Sequence, residues 1–113
     1  MTLYYGEILH FDARNPACEK RDRFILSKGH SCVALYAVLA DLGFFPVAEL
    51  KTFCQDGSRL GGHPDRNMPG IEADTGSLGH GLGIAAGLAL SVKLDEKDNL
   101  TIALLGDGEC YEG

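Results

Sequence analysis

Three settings in this 113-residue sequence have the residue types and spacing to do chemistry: Asp107 between Gly106 and Gly108, His30 after Gly29, and His63 between Gly62 and Pro64. An aspartate oxygen is a hard ligand suited to Mg²⁺, which usually bridges to substrate phosphates. Glycines on either side let backbone N–H groups approach a phosphate closely. Gly106-Asp107-Gly108 thus reads either as a metal-diphosphate site or as a plain Asp-Gly turn after a strand. His30 stands at the N-terminal edge of an apolar segment, where helix-end N–H groups attract anions. It can donate a hydrogen bond to phosphate or substrate, or serve structure alone. His63 falls within residues 58–70, a stretch too long and too rich in glycine to be a mere connector. It is either substrate-facing or a solvent-exposed loop histidine.

These residues need elements to hold them. Residues 100–105 (LTIALL) form a continuous apolar run with β-branched Thr101 and Ile102, as expected of a parallel strand buried on both faces. Asp107 then stands at the carboxyl edge of that strand, which is where open α/β sheets bind ligands. Phe24, Ile25 and Leu26 make a second short apolar patch, a brief strand or a packing plug, ending at Ser27. Residues 32–40 are good helix formers and apolar almost all round, so that helix must be buried. Ser27 or Ser31 can cap it, Gly43 fits its stop and Pro46 bars continuation. Residues 2–9 fit the last turns of a helix, and residues 47–55 fit a short amphipathic helix before an Asp56-Gly57 turn. Arg21 and Arg23 are expected to pair with Asp22 or Glu19 at the surface.

A second long helix is expected to run to about Leu94. Gly79, Gly81, Gly83 and Gly87 lie along it, each costing roughly 1 kcal/mol against Ala in a helix interior. Something must come close to that backbone: a neighbouring helix, a second subunit or a flat cofactor ring.

Composition narrows the class. A 45% hydrophobic content belongs to a globular chain with a packed core, one small domain or a piece of a larger one. Ten basic against sixteen acidic residues give a net charge of −6, which argues against nucleic acid or an anionic membrane as partner. An anionic cofactor would need a metal as counter-charge. No apolar stretch has transmembrane length, and residues 1–10 lack the features of a signal peptide. The four cysteines show no C-x-x-C spacing, as expected of reduced, non-ligand thiols in a cytoplasmic protein.

Four segments stand in one order: RDRFILSKGHSCVALYAVL, GSRLGGHPD, EADTGSLGHGLGIAAGLALSVKLD and LLGDGECYEG. Together they resemble the N-terminal, diphosphate-binding half of a transketolase, especially the type whose two halves are separate polypeptides. GDGECYEG resembles the opening of the thiamine-diphosphate motif, and Glu112-Gly113 its transketolase version. The resemblance covers essentially the whole chain. It implies that residues 1–113 are a partial diphosphate-binding domain, α/β, with a partial doubly wound parallel sheet and flanking helices.

It further implies thiamine diphosphate and Mg²⁺ as cofactors, sugar phosphates as substrates, and transfer of a two-carbon ketol unit between them. Asp107 matches the metal-binding Asp, and Gly106 and Gly108 the glycines beside the diphosphate. His30 matches a histidine near the diphosphate and donor sugar, and His63 the Gly-His-Pro histidine that contacts substrate hydroxyls. The backbone of Gly76, Ser77 and Leu78 corresponds to the segment against the thiamine rings, and Glu112 to a glutamate at the dimer interface. His80 stands where many relatives carry Gln, and is given a structural role; Ser77 replaces a frequent Pro. The implied partners are a C-terminal transketolase half carrying the aminopyrimidine pocket and, for complete units, a second copy. The motif's closing Asn does not appear, so the chain resembles a fragment clipped at both ends, expected to be inactive alone and to bind cofactor weakly. The alternatives are a component of another thiamine-diphosphate enzyme, a non-catalytic interaction module, and a truncated product.

Overall fold

The computed structural model describes residues 1–112; Gly113, the second member of the Glu112-Gly113 pair, lies outside them. A single turn of helix, α1 (Thr2–Tyr5), precedes the first strand, β1 (Arg23–Leu26). The second strand, β2 (Thr101–Leu104), lies parallel to it, with Arg23 opposite Thr101 and Leu26 opposite Leu104. Parallel strands cannot be joined by a tight turn, so the chain between them is one long crossover. It holds a 3₁₀ turn (Gly29–Ser31), α2 (Cys32–Asp41), a 3₁₀ segment (Val47–Thr52), a long loop, and α3 (His80–Leu94). This is the α/β arrangement expected from the sequence, with the Phe24 patch resolved as a strand.

Packing centres on α2. Leu35, Tyr36, Val38, Leu39 and Ala40 are buried there against Leu26, Phe44, Phe45, Leu60, Met68 and Ile71. The helix stops where expected. Gly43 takes φ +86°, its N–H donates to Ala40 O (3.0 Å) and that of Phe44 to Leu39 O (2.9 Å), the paired bonds of a glycine-terminated helix. An aromatic cluster of Tyr4 edge-on to Phe11 and Phe24 closes the core beneath α1.

Several expectations are corrected. β2 is not buried on both faces: among the described residues it has one strand neighbour, and Leu104 is 51% exposed. α2 is buried on one side only, with Val33 exposed. Residues 47–52 wind as 3₁₀ helix rather than α, since Thr52 Oγ1 bonds back to Glu49 O (2.8 Å) and Cys54 turns the chain with φ +55°. Such local side-chain bonds compete with helix continuation. Neither arginine pairs with the carboxylate of Glu19 or Asp22; Arg21 reaches Asp22 only at its backbone carbonyl (3.4 Å). Arg21 and Arg23 both reach Glu72, about fifty positions away, and the Arg21–Glu72 pair is largely buried.

Asp22 instead turns inward and joins three segments. Its carboxylate accepts the N–H of His10 (2.8 Å), the N–H of Leu100 (2.7 Å) and, at 3.1 Å, the His10 ring Nδ1. Burial pushes this carboxyl up, but the His10 and Leu100 N–H groups and the His10 ring outweigh it and hold the pKa below its ordinary value. A depressed carboxyl contributes stability above its unfolded-state pKa and loses it as the pH falls through the native value. Asp22→Asn is therefore expected to lower the urea-unfolding free energy at neutral pH by about 1.5–3 kcal/mol. The deficit should shrink on acidification below about pH 4; a deficit constant through the acid range would show that charge on Asp22 is not what joins these segments.

Candidate functional site

Because β1 and β2 are parallel and in register, both release their chains at the same edge. Ser27 N still donates to Leu104 O (3.0 Å). Beyond it run Lys28, Gly29 and His30 on one side and Gly106, Asp107 and Gly108 on the other. The two strand ends are tied by a residue that sequence reasoning missed. Glu109 is 3% exposed, and both its oxygens are engaged: Oε2 accepts from Ser27 Oγ (2.9 Å) and Gly79 N (3.2 Å), and Oε1 from Gly106 N (2.7 Å). Burial pushes this carboxyl up, but those donors and the charge of Lys28 outweigh it and leave the pKa below its ordinary value.

The glycines of this edge are where backbones or stems come too close for a side chain. A Cβ on Gly81 would lie 2.3 Å from Ser27 Oγ, and one on Gly29 2.7 Å from the Thr75 carbonyl. Gly79, at φ +86°, starts α3 against the Glu112 carbonyl. Gly106 lies against the stem of Lys28, whose Nζ would be 3.4 Å from a Cβ there. Of the four glycines expected to meet a close neighbour, Gly79 and Gly81 do so, whereas Gly83 and Gly87 have nothing within 4 Å.

His63 is positioned from α2. Tyr36, 1% exposed, points its hydroxyl at His63 O (2.8 Å) and Gly61 O (3.2 Å), and the Cys32 thiol one turn earlier also donates to Gly61 O (3.6 Å). The His63 ring then lies against Gly76, 3.1 Å from where a Cβ would stand. His30 is exposed on the 3₁₀ turn whose Gly29 packs on Thr75 and Gly76. The segment 75–79 is thus the common neighbour of the Gly29-His30 turn, the His63 loop and Glu109. Gly76, Ser77 and Leu78 lie along it, with Leu78 40% exposed.

Asp107 is also exposed, at the start of a 3₁₀ turn (Gly108–Tyr111), with open space where a Gly108 side chain would be. Among the described residues no cluster of three or more His, Cys, Asp or Glu could hold a metal ion, so Asp107 is a single candidate ligand. Glu112 is exposed at the far end of the same turn.

Two expectations change here. Gly106 N–H is not free for a phosphate, because Glu109 takes it. Neither serine caps α2 through its side chain: Ser31 makes no capping bond, and Ser27 is spent on Glu109. Lys28 is the other residue that sequence reasoning missed. Its signal is a lone lysine set between Ser27 and the Gly29-His30 pair. The four cysteines are all free thiols.

The residues present fit a metal-bridged anion: an outward carboxylate, a lysine ammonium against Gly106, and small residues leaving room at the strand ends. An α/β chain with such an edge belongs to the class that holds ligands where parallel strands end. Residues 1–113 match the family described as "Transketolase, thiamine diphosphate binding domain", and this chain belongs to that family. It is 44% identical over 113 residues to one of the polypeptides of the apulose-4-phosphate transketolase of Phocaeicola vulgatus, a match covering 100% of this chain and 40% of that one. It is likewise 44% identical over 114 residues to the 6-deoxy-6-sulfo-D-fructose transketolase subunit SqwG of a Clostridium species, covering 100% and 42%. The transketolase structure from Campylobacter jejuni superposes with a TM-score of 0.92 at 33% identity, over 97% of this chain and 19% of that one. The chain thus spans less than half the length of the two curated relatives.

The two kinds of glycine on α3 should respond oppositely to the same change. Gly81→Ala, which drives a methyl into Ser27, is expected to cost about 1–3 kcal/mol. Gly83→Ala, facing open space, is expected to gain about 1 kcal/mol from helix propensity. Urea unfolding of the two variants checks this, and equal signs would refute the packing of α3 on Ser27.

Proposed function

We propose that residues 1–113 are part of the diphosphate-binding domain of a transketolase that moves a two-carbon ketol unit between sugar phosphates, using thiamine diphosphate and Mg²⁺. The observation that carries this reading is a strand edge bearing Asp107, Lys28 and the Gly29-His30 turn, where that turn, the His63 loop and Glu109 all meet the segment 75–79. Family membership and the split relatives support it, since both of those relatives are named as parts of transketolases.

In this reading Asp107 would supply a carboxylate oxygen to Mg²⁺, with the diphosphate and residues outside 1–113 completing its shell. Gly106 and Gly108 leave space for the diphosphate rather than donating to it through Gly106, and Lys28 supplies the countercharge. The backbone of Gly76, Ser77 and Leu78 lines the thiamine rings. When bound, thiamine diphosphate supplies an electron sink for cleaving a ketose beside its carbonyl. His30 and His63 hold and orient substrate hydroxyls through their ring nitrogens, and move protons there as alkoxide character develops. Glu112 faces a partner protomer. The complementary polypeptide carries the aminopyrimidine pocket, and complete units pair as dimers. The sugars named for the split relatives differ from one another, so a ketose is the substrate class this reading commits to.

The test is calorimetric titration of thiamine diphosphate with Mg²⁺ into this chain mixed with a matching C-terminal transketolase half, beside Asp107→Ala. Metal-dependent binding is expected, and the variant should lose about ten- to a hundredfold in affinity, the usual consequence of weakening a metal's protein shell. Absence of metal-dependent binding in a mixture that is folded and associated would overturn the reading.

A further inference from the structure

Glu109 has no part in the proposed chemistry, although its buried carboxylate is bonded to three of the segments that meet at the strand edge. Its oxygens take the N–H groups of Gly106 and Gly79 and the hydroxyl of Ser27. The two backbone donors are of the kind a glycine-rich turn would otherwise offer a phosphate. With Glu109 in place, neither of these two N–H groups is left for an anion. Gly106 is fixed by Glu109 on its N–H side and covered by the Lys28 stem on its Cα side. Asp107 lies between Gly106 and the turn that contains Glu109. Holding Gly106 therefore holds both Lys28 and Asp107.

We propose that Glu109 is a positioning residue for the outer edge: its carboxylate gathers Ser27, Gly79 and Gly106 into one frame, and so sets where the Lys28 ammonium and the Asp107 carboxylate stand. This rests on the reading of that edge as a diphosphate and metal site. Glutamine cannot replace the carboxylate. One end of its amide carries hydrogens, and it would face either Gly106 N–H or Gly79 N–H, donor against donor.

The experiment titrates inorganic pyrophosphate with Mg²⁺ into the chain mixed and associated with a matching C-terminal transketolase half, followed by phosphorus NMR. It compares wild type, Glu109→Gln and Val38→Ala, the last a core truncation in α2 away from the edge. All are measured at a temperature where circular dichroism shows each fully folded. A merely structural role predicts that the two variants bind alike once folded. Positioning predicts that Val38→Ala binds as wild type does, whereas Glu109→Gln loses about ten- to a hundredfold, the range typical of residues that orient a metal's ligands. Equal binding by Glu109→Gln and wild type would overturn the proposal. If Glu109→Gln does not fold, Ser27→Ala takes its place, since it removes one donor and keeps the charge; a loss smaller than that expected of Glu109→Gln is then the supporting result, and wild-type binding the refuting one. Silence of the wild type itself would sink the underlying site reading together with this inference, and is distinguished by needing no variant.

Discussion

A carboxylate withdrawn from water stays where it is only if donors replace the water it has lost. Glu109 meets that condition with three donors drawn from the end of β1, the start of α3 and the end of β2. Charge-assisted bonds of this kind are short and directional, so none of the three segments can shift without leaving the buried carboxylate short of a donor. The spacing of α3 from the sheet follows. Gly81 has to lack a side chain because Ser27 must reach Glu109 through the place a Cβ would fill.

A second support comes from α2. Cys32 and Tyr36 are four residues apart and so share a helix face, and both bond carbonyls of the loop that bears His63. The frame from Glu109 and the prop from Tyr36 meet at residues 75–79. Gly29 packs on Thr75, the His63 ring on Gly76, and Gly79 gives its N–H to Glu109. Exposed candidate groups thus rest on buried polar bonds from two independent elements, which is how a loop-borne site keeps its geometry.

Much of this was legible in the sequence, and the remainder was hidden for physical reasons. Apolar runs and glycine stops located α2, α3 and β2, and left β1 open between a brief strand and a packing plug, because periodicity and φ requirements are local properties. Gly79 and Gly81 could be recognised as close-approach positions, since glycine in a helix needs a compensating contact; Gly83 and Gly87 carry the same letter without one. The failures were polar residues whose partners are remote in sequence. Arg21 finds Glu72, Asp22 finds Leu100, and Ser27 finds Glu109, 82 positions away. A charged or hydroxyl side chain offers no periodic signal by which its burial might be foreseen. β2 was expected to be covered on both faces because its composition suits that; its actual exposure depends on neighbours that local sequence does not describe.

The parallel pairing of β1 with β2 also has a consequence for how the chain comes together in time. Asp22 and Leu100, which bond across the base of the strands, are 78 residues apart. Non-local pairings of this length make folding slow, because the loop between must lose its freedom before the contact rewards it. During synthesis at about 5–20 residues per second, β1 would wait roughly 4–16 s before its partner is made. Over that interval the apolar residues around α2 can already collapse locally, while Asp22 and Ser27 remain solvated and β1 offers an unpaired edge. The nascent chain is therefore most exposed to misassociation just before the ribosome reaches β2, and a nascent-chain chaperone would find its binding surface there.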